Sequence, residues 1–196
     1  MTLHTHIPEA TAGPAPAAYP AGLARQVRLP DGRELTLRPI RPDDADAEWD
    51  FVHRLSPDSR YFRFMAPVKD LTPAMLRRFT DIDYQREMAL VAMTATPQGE
   101  RQVGVARYSI LPGTRRCEFA IVVDDEWRGT GLALALMTAL ADVARDYHHL
   151  EAMEGVTLAE NRRMAGLAQS LGFDVRMDPD DAHQVLMQLD LRAALQ

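Results

Sequence analysis

One segment, residues 117–133, constrains the fold more than any other part of the sequence. It begins with an apolar run from Cys117 to Val123, which is typical of a buried strand. A short loop follows, and beyond Gly129 and Gly131 apolar residues recur at helical spacing from Leu132 onward. The segment therefore predicts a buried strand, a tight loop and a helix that opens at two glycines.

The loop is also a predicted anion site. The first turn of a helix exposes unpaired backbone N–H groups at the positive end of the helix dipole, and glycines let an anion approach them. Known nucleotide-binding patterns fit poorly, since the Gly-Lys-Ser/Thr ending of a Walker loop is missing and Leu134 stands where a dinucleotide fingerprint needs a glycine. The loop alone leaves open a plain tight turn between strand and helix.

The remaining pattern predicts an α/β fold around a mixed sheet, beginning with a hairpin around Pro30-Asp31-Gly32. The predicted strands cover residues 27–29, 35–37, 88–94, 102–110, 117–123, 150–158, 173–177 and 185–191. The predicted helices cover residues 41–55, 56–64, 74–79, 132–147 and 161–171. Residues 1–22, rich in Pro, Gly and Ala, are expected to be a disordered leader, and residues 23–196 a single domain.

Charge and composition exclude several classes of function. A net charge of -6 argues against nucleic acid as a partner and is compatible with a cationic substrate such as an amine. No stretch approaches the roughly 18 apolar residues of a membrane span, and no signal peptide is present, so a cytoplasmic protein without membrane contact is expected. Cys117, the single cysteine, is predicted to be a buried thiol. No metal is expected, because no Cys/His cluster has ligand spacing.

Two motifs resemble one family. Arg128-Gly129-Thr130-Gly131-Leu132-Ala133 matches the pattern Arg/Gln-x-x-Gly-x-Gly/Ala and resembles the pyrophosphate loop of the GNAT acyltransferases. About thirty residues on, Asn161 opens a predicted helix that ends at Leu171-Gly172-Phe173, as in GNAT proteins. The resemblance covers residues 35–191. It implies the GNAT fold, a central mixed, mostly antiparallel sheet flanked by helices, and acetyl-CoA as the cosubstrate.

Residues 54–64 and 79–91 resemble the Pat group of bacterial protein lysine acetyltransferases. This implies an enzyme that acetylates a protein lysine, such as one on an acyl-CoA synthetase. In that group the GNAT domain is often fused to an acyl-CoA-synthetase-like or cyclic-nucleotide-binding domain, and neither is expected in this sequence. Two alternatives stay open: a small-molecule amine N-acetyltransferase and a non-catalytic acyl-CoA-binding regulator. The oligomeric state is open too.

Glu118 is the candidate general base. It is the lone carboxylate in an apolar strand, so we expect a buried carboxylate that accepts a proton from an ammonium group near neutral pH. In the Pat group a glutamate in the matching Glu-Phe-Ala-hydrophobic stretch has this role. The alternative is a salt-bridged or edge-facing glutamate.

The family resemblance also assigns the acetyl-CoA contacts. The residues implied are Ile121, Val122, Val123, Arg128, Gly129, Thr130, Gly131, Leu132, Ala133 and Asn161. Asn161 has a competing role as the N-cap of its helix, and Arg128 could instead be a solvated loop residue. Many GNAT enzymes carry a tyrosine as general acid where this chain has Ala168, so the identity of any acid is open.

Overall fold

The computed structural model describes residues 18–64 and 70–192. The strands are β1 (Arg25–Arg28), β2 (Glu34–Pro39), β3 (Glu87–Thr96), β4 (Gly99–Ile110), β5 (Arg116–Val123), β6 (Ala152–Leu158), β7 (Asp174–Met177) and β8 (Gln184–Asp190). The helices are α1 (Ala45–Arg54), α2 (Pro57–Phe64), α3 (Pro73–Thr80), α4 (Leu132–Asp146) and α5 (Arg162–Ser170). Every predicted strand and helix is present, with its ends shifted by a few residues.

The strands form one sheet in the order β1-β2-β3-β4-β5-β6-β8-β7. Neighbouring strands are antiparallel, except that β5 and β6 run parallel. A parallel pair needs a crossover connection, which α4 supplies between β5 and β6. The mixed, mostly antiparallel sheet predicted from the sequence is therefore confirmed.

Helices cover both faces of this sheet. Gly104 in β4 lies against α4, where an added Cβ would come within 2.9 Å of Leu136 Cδ1. Arg107, three residues on and hence on the other face of β4, donates a hydrogen bond of 2.7 Å to the carbonyl of Phe79 in α3. Helix α3, with α1 packed beside it, therefore covers the face opposite α4.

The parallel strands β5 and β6 separate soon after they pair. Their register joins only residues 116–118 to residues 152–154. Just beyond, the Phe119 ring packs over Gly155, where an added Cβ would lie 2.6 Å from the ring, and against Phe173 with ring centroids 5.2 Å apart. The sheet opens here into a wedge-shaped space, which we call the β5–β6 gap.

The predicted leader, residues 1–22, lies mostly outside the described residues. Its described end makes contacts with the sheet. The Tyr19 hydroxyl donates a hydrogen bond of 3.0 Å to the carbonyl of Pro39, and its ring meets Tyr84 edge-on with centroids 5.8 Å apart. The Arg41 guanidinium lies over the Tyr19 ring at 4.8 Å. Tyr19, which lies within the predicted leader, therefore packs on the sheet.

A buried ion pair lies at the start of α1. Arg38 donates two hydrogen bonds of 2.7 Å to the two carboxylate oxygens of Asp44, and both residues are 7% exposed. The hydrogen bonds that Arg38 donates to Asp44 raise the pKa of Arg38. Asp44 also accepts the backbone N–H of Arg41 at 2.7 Å. The pair therefore fixes the chain where it leaves β2 and enters α1.

None of the helices in the described ranges combines the length and the apolar character needed to cross a membrane.

Candidate active site

A cavity of about 620 Å³ occupies the β5–β6 gap. One wall is β5 from Glu118 to Val123, and the other is formed by Val156, Thr157 and the beginning of α5. Side chains of α2 close a third side. Ligand sites in proteins have volumes of about 300–1,000 Å³, so the gap is large enough for a small-molecule ligand.

The loop after β5 is held in shape by its own hydrogen bonds. The Asp124 carboxylate accepts the N–H of Glu126 at 3.1 Å and caps a short 3₁₀ turn. The Thr130 hydroxyl donates to the carbonyl of Trp127 at 2.8 Å and accepts the N–H of Leu132 at 3.3 Å. These bonds need no ligand, so the loop is preorganised.

The two loop glycines adopt backbone conformations that other residues disfavour. Gly129 has φ +74° and Gly131 has φ +91°, and glycine adopts positive φ without a steric penalty. A Cβ at Gly131 would stand 3.0 Å from Cδ of Pro30 in the β1–β2 turn. A Cβ at Gly129 would meet no atom within 4 Å. One side of the loop is therefore packed, and the other is open.

The loop presents N–H groups that are free to bind an anion. In the described structure no backbone oxygen accepts the N–H of Gly129, Thr130 or Gly131, and α4 begins directly behind them. The helix dipole adds partial positive charge at this point, so the arrangement suits a pyrophosphate. Ala133 lines the cavity, whereas the Leu132 side chain is 0% exposed and packs in the core.

Arg128 lines the cavity but is already engaged with the protein. Its guanidinium pairs with the Asp125 carboxylate and donates to the Ser59 hydroxyl. Asp125 also accepts the N–H of Ser56 at 2.8 Å and the hydroxyl of Ser59 at 2.9 Å. Burial opposes the ionisation of Asp125, but these hydrogen bonds and the charge of Arg128 hold its pKa below the usual value. This network fixes α2 to the loop, a role that the sequence did not reveal.

The backbone of Ile121, Val122 and Val123 forms an edge of the gap. It pairs with β4 on one side and, within the described ranges, with no strand on the other. All three residues line the cavity. An open strand edge can pair with amide groups of a ligand as it would with an added strand. This edge can therefore pair with the amide groups of an extended ligand.

Glu118 lies at the closed end of the gap, as the last residue of β5 that pairs with β6. The prediction that its apolar neighbours bury it is wrong, because its side chain is exposed. Side chains alternate along a strand, so Cys117 and Phe119 point to the core side while Glu118 points the other way. In register beside it, Glu154 pairs with Arg116, whereas Glu118 has no ion-pair partner among the described residues. Its carboxylate is thus free to accept a proton.

Asn161 fills the alternative role that the sequence allowed. Its Oδ1 accepts the N–H of Met164 at 3.2 Å and caps α5, while its Nδ2 donates to the Thr157 hydroxyl at 3.1 Å. Asn161 and Thr157 both line the cavity. Capping and a contact with the cosubstrate are therefore compatible at this position.

A general acid is not evident beside Glu118. Ala168, where the resemblance would place a tyrosine, is 0% exposed in the core. The described residues around the cavity include no Tyr, His, Cys or Lys. The Tyr84 hydroxyl donates its hydrogen bond to the Ile40 carbonyl at 2.7 Å. Burial also raises the pKa of Tyr84 to about 12. Nor does any group of three His, Cys, Asp or Glu within the described ranges lie where it could hold a metal ion.

Comparisons with known proteins match this geometry. The family model of the acetyltransferase (GNAT) domain matches residues 34–174. Acetyltransferase PA5475 of Pseudomonas aeruginosa is 42% identical over 163 residues, which cover 83% of this chain and 87% of that protein. The GNAT domain of S. lividans PAT aligns with a TM-score of 0.79 at 29% identity, covering 88% of this chain and 99% of that chain.

A further likeness concerns the fold alone. Spermidine N-acetyltransferase from Vibrio cholerae, solved in complex with CoA and spermine, aligns with a TM-score of 0.65 at 19% identity. The match covers 83% of this chain and 98% of that chain.

Proposed function

This chain belongs to the GNAT acetyltransferase family, and we propose that it transfers the acetyl group of acetyl-CoA directly to the side-chain amine of a protein lysine. Family members use acetyl-CoA as the acetyl donor. One observation carries the proposal. The β5–β6 gap runs from Arg128 and Ala133, which flank the free N–H groups of the loop, to the Glu118 carboxylate, which has no ion-pair partner among the described residues.

Acetyl-CoA is expected to lie along β5. Its pyrophosphate would accept the N–H groups of Gly129, Thr130 and Gly131, and its pantetheine arm would pair with the backbone of Ile121 to Val123. From Val123 to Glu118 the strand extends by roughly 17 Å, at about 3.3 Å per residue. An extended arm bound at the loop would therefore bring its thioester to the closed end of the gap.

The reaction then follows from the groups at that end. A lysine arrives protonated, with a pKa near 10.4 in solution, and only the neutral amine attacks. Glu118 accepts this proton, the neutral amine attacks the thioester carbonyl, and a backbone N–H of β5 stabilises the negative oxygen of the tetrahedral intermediate. The nitrogen then loses its second proton to water. The C–S bond then breaks, and CoA leaves as a thiolate, whose pKa near 8.5 makes it a fair leaving group without an acid.

Two likenesses support a protein lysine as the acceptor. Residues 54–64 and 79–91 resemble the Pat group, and the fold is similar to the GNAT domain of S. lividans PAT. A small amine is the second candidate, since a spermidine N-acetyltransferase shares the fold. The third candidate is a non-catalytic acyl-CoA-binding regulator. Ala168 favours it, because many GNAT enzymes have a tyrosine as general acid at this position. The cytoplasmic location stays a prediction, and the oligomeric state stays open.

Labelled acetyl-CoA separates these functions. The full chain is incubated with a lysine peptide, with spermidine and with cell lysate, and Glu118→Gln is compared with Glu34→Gln, the same change on the distant strand β2. General-base loss lowers kcat by about 10²–10⁴-fold. We expect about 10²-fold near pH 7, because Glu118 is exposed and water can share its role. The deficit should shrink at high pH, where free amine is abundant.

The outcomes point in different directions. Faster labelling of spermidine than of protein would favour the small-amine function, and binding of acetyl-CoA without any transfer would favour the regulator. An unchanged kcat in Glu118→Gln would move the base to another group. An equal loss of acetyl-CoA affinity in that variant would make Glu118 structural.

A further inference from the structure

Two arginines near Glu118 form no ion pair with any described residue, and one of them, Arg63, lines the cavity. The guanidinium of Arg63 in α2 lies 5.2 Å from the centre of the Phe64 ring and forms no hydrogen bond or ion pair with the described residues. Arg107 in β4 donates to the Phe79 carbonyl at 2.7 Å and lies over the Phe79 ring at 4.9 Å. Its Nε is buried without any described hydrogen-bond partner.

The positive charges of Arg63 and Arg107 repel each other. Burial, and then the charge of Arg107, lower the pKa of Arg63 to about 10. Burial also lowers the pKa of Arg107. Glu48 offsets part of both charges, and Glu87 offsets part of that of Arg107. However, Glu48 accepts a hydrogen bond from Gln102, and Glu87 forms its ion pair with Arg78. Both side chains are half-buried, and charges withdrawn from water are normally paired, so this arrangement can accept an anion from a ligand.

The arginine pair lies beside the reacting end of the gap. Arg107 is opposite Ala120 in the β4–β5 register, and Ala120 is two residues from Glu118 on the same face of β5. That spacing corresponds to about 7 Å along the strand. The loop that suits pyrophosphate follows Val123, in the other direction. An anion at the arginines would therefore belong to the acceptor and not to CoA.

We propose that Arg63 and Arg107 bind a carboxylate or phosphate that the acceptor carries close to its reactive amine. The inference rests on the proposed acetyl transfer and specifies its substrate: a lysine with an acidic group nearby, in preference to a polycation such as spermidine. The net charge of the chain is -6, so this preference comes from local charge and not from the charge of the whole protein.

Matched acceptors test the preference in the full chain. One set of peptides carries Glu at each of the two positions on either side of a single lysine, and each has a partner with Gln. Free lysine and cadaverine, which lacks the carboxylate, form a second pair. A charge-assisted hydrogen bond predicts that kcat/KM for the best Glu peptide exceeds that of its Gln partner by about 10- to 100-fold. A preference confined to lysine over cadaverine would assign the site to the carboxylate of a free amino acid.

Variants tie the preference to the arginines. Arg63→Gln should bring the Glu/Gln ratio close to one, while Arg63→Lys should keep part of it. Arg28→Gln, the same change on the exposed edge strand β1, should leave the ratio intact. Acetyl-CoA affinity should be unchanged in Arg63→Gln. The peptide comparison needs only the parent protein, so it decides even if a variant fails to fold.

Two results would overturn the inference while leaving the acetyltransferase intact. One is an active parent that shows no preference in either pair of acceptors. The other is an Arg63→Gln variant that loses acetyl-CoA affinity as much as turnover, because Arg63 would then contact the cosubstrate. A parent that binds acetyl-CoA and acetylates none of the amines would instead overturn the proposed function itself, and this inference with it.

Discussion

Replacing Gly131 with alanine tests the geometry of the anion loop, and Gly129→Ala is its matched control. Both residues have positive φ, a conformation that costs a residue with a Cβ about 1–2 kcal/mol. At Gly129 nothing else opposes the methyl group. At Gly131 the methyl group also stands 3.0 Å from Cδ of the rigid Pro30 ring, and such overpacking costs about 1–3 kcal/mol more.

The expected loss in the free energy of unfolding is therefore about 1–2 kcal/mol for Gly129→Ala and about 2–5 kcal/mol for Gly131→Ala. In a chain of this size 1 kcal/mol shifts Tm by about 2–4 °C, so the losses are about 2–8 °C and about 4–20 °C. Thermal unfolding followed by circular dichroism measures both. In a Pro30→Ala background the two losses should converge, because the ring that Gly131 contacts is gone.

Equal destabilisation by the two variants in the parent background would refute the contact with Pro30. Ligand binding gives a second readout. Acetyl-CoA at 100 times its Kd should stabilise the parent by about 2.7 kcal/mol. Gly129→Ala should lose much of this stabilisation, because its methyl group occupies the open side of the loop. A full stabilisation in that variant would mean that the phosphates bind elsewhere.

Three further predictions concern Asp44, His148 and Tyr19. Asp44→Ala leaves Arg38 buried and unpaired, so we expect a loss of about 3–5 kcal/mol in denaturant unfolding, part of which Arg38→Met in the same chain should restore. Burial lowers the pKa of His148 from 6.5, so as pH falls the unfolded chain binds this proton before the folded chain does. The free energy of unfolding should therefore decrease as pH falls through about 6.5. In His148→Gln this decrease between pH 7 and pH 5.5 should be smaller. Tyr19→Ala removes one hydrogen bond and a ring contact, so Tm should fall by several degrees, and a chain starting at Gly22 should show the same fall. An unchanged Tm would show that Tyr19 does not pack on the sheet in solution.

The local parts of the site could be predicted from the sequence. The change from a strand run to helical spacing, with glycines between, is a feature of neighbouring residues, and the structure has β5, the loop and α4 where these features place them. Asn161 could likewise be identified as a cap, because capping depends on the residue and the helix that it opens. Such features need no knowledge of distant contacts.

The exposure of Glu118 could not be predicted in this way. An apolar run such as residues 117–123 is typical of a strand buried on both faces, and on that basis its one carboxylate was expected to be buried. However, β5 lies where the sheet opens, so one face of the strand meets the gap instead of a helix. Burial in a strand depends on what covers each face, which is set by elements far away in sequence.

The two ends of the site also differ in how far they depend on contacts between elements that are distant in sequence. The donor end is built mainly from backbone groups of one continuous segment, β5 and the loop, so spacing and glycines suffice to indicate it. The proposed acceptor end depends on side chains from separate elements, because Arg63 lies in α2 and Arg107 in β4. Neither forms an ion pair with a carboxylate of the described residues, and no local sequence pattern indicates this. The family therefore indicates the acetyl donor, whereas the choice of acceptor depends on how the folded chain arranges charges around Glu118.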